Sequence, residues 1–255
     1  SAFPGTLEIT PSMNHERTMG LTQQLSRLWN IPIFSKYELY RGLLFVAVAL
    51  SLAMAVFSTT SKQVHHDEYD HINAARFYIE HWLPPSVADP RALDSYSLYG
   101  ASYLNEWDIV YPIAGKFAKL LQPIVGNDSI ALRLFNVSLF LILACIALYR
   151  RNEILAFAIL LMSPQIWYVF SYFNGDAFPM FVSMLIAGIL ASSRSIFNDR
   201  TRSALIRYGG LGVCLGLLVL SKKTFWAFGL FSIACAAWIE IAHYGRGRTA
   251  LTLIS

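Results

Sequence analysis

The sequence predicts an all-α, polytopic membrane protein: a helical bundle of about six spans with a long first external loop that carries surface-lying helices. Three observations predict it. Apolar residues make up 55% of the 255 residues and charged ones only 14%, with a mean hydropathy of +0.46, which leaves too little charge to cover a soluble surface. The apolar residues gather in runs of span length. The basic residues sit between those runs and do not pool on one stretch, so the excess of 20 Lys and Arg over 16 Asp and Glu reads as membrane topology, with no nucleic-acid partner. The same composition excludes a disordered chain. Cys145, Cys214 and Cys235 lie inside apolar runs and read as buried small hydrophobes, not as a disulfide framework.

A helix that crosses the hydrocarbon core needs roughly 20 mainly apolar residues. Spans are predicted at 42–58, 130–148, 154–173, 177–191, 204–220 and 225–242, so that residues 1–41 form an N-terminal tail and 42–255 the transmembrane module. The fourth span is short, and the fifth carries Arg207 near its start. The first begins too far along the chain for a cleaved signal peptide, and no small-residue cleavage site follows it. Residues 1–12 read as a disordered tail. Residues 251–255 are a renewed apolar run, which suggests a further C-terminal domain or a partner subunit.

Lys and Arg in short loops mark the cytoplasmic side. Arg17, Arg27, Lys36 and Arg41 precede the first span, Arg150 and Arg151 follow the second, Arg194, Arg200 and Arg202 follow the fourth, and Arg246 and Arg248 follow the sixth. All fall on one face. Both termini are therefore expected in the cytoplasm, with the loop 59–129, the turn Asn174-Gly175-Asp176 and the turn 221–224 on the other side. The loop 59–129 holds nine of the sixteen acids against five Lys or Arg. Translocated loops lack positive charge in any case, but their acids need not cluster.

Here they do, in His65-His66-Asp67-Glu68-Tyr69-Asp70-His71 directly beyond the first span. Ile72, Ala75, Ile79 and Trp82 then recur at helical spacing, with Asp67, Asp70, His71, Ala74 and Tyr78 near the opposite face. The pattern predicts a helix on the membrane surface, Trp82 and Tyr78 at headgroup depth, stopped by Pro84-Pro85. Two readings of the acids stay open: Asp67 caps this helix and the histidines are solvated, or the ionisable groups face a polar cavity and do chemistry. His66, Asp67, Asp70 and His71 could share one divalent cation, although their spacing matches no strong zinc template.

Asp67-Glu68, placed just outside the first span and leading into a surface-lying helix, resembles the signature of the GT-C glycosyltransferases, and is similar in arrangement to protein O-mannosyltransferases and lipid A aminoarabinose transferases. The stretch from His66 through Ile113, with Tyr99-Gly100 and Glu106-Trp107-Asp108, resembles bacterial GT-C-like proteins. The likeness covers the first span, the long loop and roughly three further spans; GT-C enzymes are generally longer. It implies a hexosyl- or pentosyltransferase of the bacterial inner membrane, which moves a sugar from a polyprenyl-phosphate carrier to an acceptor on the periplasmic face, with inversion. Asp67 would be the base, Glu68 would orient the acceptor or a metal, and Asp176 would be the second acid of a later external loop. No cofactor is implied beyond a divalent cation, which some members need. The chain has no Rossmann or phosphate-loop fingerprint, in keeping with a lipid-linked donor.

A departing phosphate needs cations. Lys222 and Lys223 lie on the external side, where Lys is disfavoured, and read either as interfacial snorkelling residues or as a phosphate clamp. Arg133, at the outer end of the second span, carries the same pair of readings. His66, Asp70 and His71 join the expected substrate-binding set. A transporter-like or flippase-like module for a lipid-linked substrate is the alternative, favoured by the interruptions at Ser163-Pro164 and from Gly175 to Pro179; an accessory subunit is the third reading. Gly212 and Gly216 form a small-xxx-small pair expected to pack against another helix.

Overall fold

The computed structural model describes residues 36–57, 67–86, 89–96, 100, 102–104, 108–149, 157, 160–192, 195, 197–199, 201 and 203–252. His66 and most of the predicted N-terminal tail lie outside them. Among the described residues the fold is all-helical, with one isolated bridge between Tyr96 and Ser102 and no strand.

The main helices are α1 (Lys36–Phe57), α2 (Glu68–Glu80), α3 (Val110–Val125), α4 (Asp128–Tyr149), α5 (Pro164–Ser171), α6 (Ala177–Ala191), α7 (Ala204–Val219) and α8 (Trp226–Thr252). Short 3-10 turns cover Pro90–Ser95 and Lys223–Phe225. Three helical stretches are long and apolar enough to cross a membrane: Glu38–Phe57, Asp128–Tyr149 and Lys223–Ala242. They mark the chain as a membrane protein. Helices α6 and α7 are apolar but only 15 and 16 residues long. The predicted span 154–173 falls partly outside the described residues, and its described part is interrupted at Ser163, where Pro164 begins the eight-residue α5 because a proline offers no N–H to an existing helix.

Helix α4 is the centre of the bundle: 61% of its apolar window is buried, against 22% for α1 and 11% for the Lys223–Ala242 segment. The other two spans leave large apolar side chains such as Phe45, Leu230, Phe231 and Trp238 exposed, a surface suited to lipid and not to water. Helix α4 starts where Asn127 accepts the backbone N–H groups of Ser129 and Ile130 at 2.9 and 3.2 Å, a side-chain N-cap. Arg207 on α7 donates to the Phe197 carbonyl at 2.9 Å and pairs with Glu240 on α8, which compensates its charge inside an apolar helix.

Two expectations are corrected by the packing. Ile72, Ala75 and Ile79 do not face the membrane. They are buried, together with Glu68, His71, Ala74 and Tyr78, and α2 packs against α3; Trp82 lies beyond the helix end, exposed, with the Lys116 ammonium 4.3 Å from its ring centre. The apolar stripe was real, but a second amphipathic helix covers it. Gly212 and Gly216 do not pack against any described part of the chain: a Cβ added at either would meet nothing within 4 Å.

The close approach is at Gly115 on α3, where an added Cβ would lie 2.8 Å from the Ala75 carbonyl oxygen and from the Tyr78 backbone carbon and Cβ. Backbone cannot yield there. Gly115→Ala should cost about 1–3 kcal/mol, measured as a lower midpoint for loss of helicity on heating in detergent, whereas Gly212→Ala should leave that midpoint unchanged or slightly raised.

Candidate functional site

A cluster of ties at the start of α2 brings four parts of the chain together. Glu68, 1% exposed, accepts from Arg133 of α4 twice, Nε to Oε1 and Nη2 to Oε2, both at 2.6 Å. Arg133, fully buried, also donates through Nη1 to the Ala55 carbonyl of α1 at 3.2 Å. The Phe173 N–H donates to Glu68 Oε1 at 3.0 Å, which fastens the turn between α5 and α6. This revises two expectations. Glu68 and Arg133 are engaged with each other in a two-pronged, buried pair, so neither carboxylate nor guanidinium is presented to an acceptor or a phosphate; the pair ties the residue next to Asp67 to α1, α4 and the α5–α6 turn.

The turn itself is held by Asn174. Its amide donates to the carbonyls of Val169 and Tyr172 at 2.6 and 3.0 Å, and its oxygen accepts the N–H groups of Asp176 and Ala177 at 2.9 Å each. Asn174 therefore caps the start of α6. Asp176 makes no side-chain cap and instead meets Lys222, whose Nζ lies 2.8 and 3.0 Å from its two oxygens. The Ile109 N–H donates to the Leu220 carbonyl at 3.0 Å, joining the start of α3 to the turn that carries Lys222 and Lys223.

These ties enclose a cavity of about 270 Å³, near the lower end for ligand pockets. Helix α2 contributes His71. The approach to α3 contributes Tyr103, Asp108 and Tyr111, the α5–α6 turn contributes Gly175, and the last turn contributes Ser221, Lys222, Lys223 and Thr224. The wall is an aromatic stack: the His71 and Tyr103 rings lie 4.2 Å apart at 21°, and His71 Nδ1 shares a 2.7 Å hydrogen bond with the Tyr111 hydroxyl. Asp108 accepts the Val110 N–H at 2.9 Å, which begins α3 and fixes this carboxylate at the cavity.

Burial, reinforced by the Lys222 charge, lowers the His71 pKa from 6.5 to about 4, against an opposing pull from Asp67 and Asp176. His71 is therefore a neutral hydrogen-bonding group at physiological pH. The unfolded chain takes up this proton near pH 6.5 and the folded chain refuses it until about pH 4, so His71 makes the fold lose stability as pH falls through that window, by about 3 kcal/mol in all. The check is the imidazole NMR signal of His71, which should show no titration between pH 8 and 5.5.

Of the residues expected from sequence, the structure brings His71, Lys222 and Lys223 to the cavity. Asp67 and Asp176 flank it: neither lines it, but both act on His71 through charge. Asp67 occupies the N-cap position of α2 without a side-chain capping bond, which sets aside the capping reading of this residue. Asp70 is half-buried and lies off the cavity. Asp67, Asp70 and His71 do not gather as metal ligands; among the described residues no three His, Cys, Asp or Glu side chains are placed to hold an ion. Among the ionisable residues of the cavity, Asp108, Tyr103 and Tyr111 are those that sequence reasoning did not select. The signal for Asp108 was its place in Glu106-Trp107-Asp108 just ahead of an amphipathic run; nothing local marked the two tyrosines.

No family model, curated protein or solved structure matches the chain.

Proposed function

We propose that the chain is a GT-C-type glycosyltransferase module, with six spans and both termini in the cytoplasm of a bacterial inner membrane, that transfers a sugar from a polyprenyl-phosphate carrier on the external face. The observation that carries this reading is the meeting of Lys222 and Lys223 with Asp108, His71, Asp67 and Asp176 around one cavity: cations for a phosphate beside carboxylates for a proton. In the proposed step the acceptor oxygen or nitrogen attacks the anomeric carbon as the bond from that carbon to the phosphate oxygen breaks. The acceptor's proton passes to Asp67. The bonding electrons leave with polyprenyl phosphate, whose charge the lysines stabilise. The neutral His71 and Tyr103 supply a polar and aromatic wall for the sugar.

The flippase-like alternative draws on the break at Ser163 and the irregular turn at Asn174. The two readings separate in one experiment on the protein in proteoliposomes, with a labelled sugar on polyprenyl phosphate. The transferase releases the lipid phosphate and moves label to an added acceptor mixture or to water; label that crosses the bilayer still attached to its carrier would establish transport and reject transfer.

A further inference from the structure

Lys222 and Lys223 are adjacent in sequence and line the same cavity, yet their surroundings differ. Lys222 is held by both oxygens of Asp176. Lys223 is exposed, and its ammonium has no hydrogen bond or ion pair among the described residues. Resting on the phosphate-donor reading above, we propose that the two lysines divide the work of phosphate binding: Lys223 is the standing contact, and Lys222 is a displaceable one, latched by Asp176 until a phosphate takes it over.

The physical case is one of exchange between equal bond types. The side chains of Lys222 and Asp176 are 39% and 41% exposed, so water screens their attraction and the pair is weak enough to open. A phosphate oxygen offers the ammonium the same charge-assisted bond that a carboxylate does, and the Lys223 charge next door draws the phosphate in. Opening needs no change of backbone, because Asn174 and not Asp176 caps α6. The swap has a chemical consequence. While latched, Asp176 has its charge compensated; once Lys222 turns to the phosphate, the Asp176 carboxylate is released beside the site as an acceptor-binding group. Donor binding would thus set up the acceptor side of the site.

The test is a double-mutant cycle on binding of polyprenyl monophosphate to the full chain in lipid nanodiscs, without any sugar or acceptor. Asp176→Asn removes the latch and should tighten binding about 2- to 5-fold at low salt, the size expected for a screened pair, with the gain shrinking as salt is raised. Lys223→Met should weaken binding by at least tenfold, the standing contact being lost. The decisive variant is Lys222→Met combined with Asp176→Asn: with the latched partner absent, Asp176→Asn should give no further gain. If the gain persists in that background, Asp176 acts merely as a nearby negative charge, and the latch is refuted while the phosphate site stands. If wild type and Asp176→Asn both fail to bind the lipid, the donor reading falls and the latch with it. Helical content measured on each variant confirms that every protein compared is folded.

Discussion

Asn in place of Asp67 should reduce sugar transfer by about 10²- to 10⁴-fold, the usual contribution of a positioned general base, and leave polyprenyl-phosphate binding unchanged. Asn keeps the shape of Asp, and the Asp67 side chain contributes no capping bond to α2, so the helix start survives the exchange. What is lost is the ability to accept a proton. The structure adds a control. Asp108 lines the cavity and accepts the Val110 N–H; Asn keeps an oxygen for that bond, so Asp108→Asn should leave the start of α3 in place and lower turnover to a smaller degree. The reverse ranking, with Asp67→Asn active and Asp108→Asn inactive, would transfer the base assignment to Asp108. Initial rates with a labelled donor at saturating concentration distinguish the two.

The second large effect concerns folding. Removing one member of the Glu68–Arg133 pair leaves a buried charge without its partner, for which about 3–5 kcal/mol is expected. Arg133→Met strands a carboxylate that keeps only the Phe173 N–H among the contacts described above, and Glu68→Met strands a guanidinium that keeps the Ala55 carbonyl. Either change should also loosen the α5–α6 turn and so move Asp176. The double replacement Glu68→Met with Arg133→Met should recover much of the loss, because two apolar side chains of similar length pay no desolvation penalty. Unfolding in graded denaturing detergent reads this order directly. A single variant as stable as wild type would show that the pair is not the clamp described here.

What the sequence disclosed and what it concealed divide along physical lines. The helical class and the spans α1, α4 and 223–242 followed from run length and hydropathy, because lipid imposes a local, residue-by-residue requirement. The proximity of the acidic start of α2 to Lys222 and Lys223 was legible only through topology: loops on one side of a membrane have few places to go. The partnership of Glu68 with Arg133 was not legible. Sixty-five positions separate them, and an Arg at a span end looks the same whether it snorkels or pairs inward. Helix α2 shows a related ambiguity, since an apolar stripe is equally satisfied by headgroups or by α3. The small residues Ala114, Gly115 and Ala118, buried along one face of α3, were the clue that a helix and not lipid lies against it. Asn174 was passed over because a residue at a tight turn carries no periodic signal, although its position before α6 is where a capping side chain is needed.

The central claim is that the first helix beyond α1 and the turn before α8 share one aqueous site on one face of the membrane. It is tested most directly by replacing Cys145, Cys214 and Cys235, introducing a single cysteine at Tyr69 or at Thr224, both exposed, and treating right-side-out and inverted vesicles with a membrane-impermeant maleimide. Both positions should react in right-side-out vesicles and be protected in inverted ones. Labelling of the two from opposite faces would contradict the account outright.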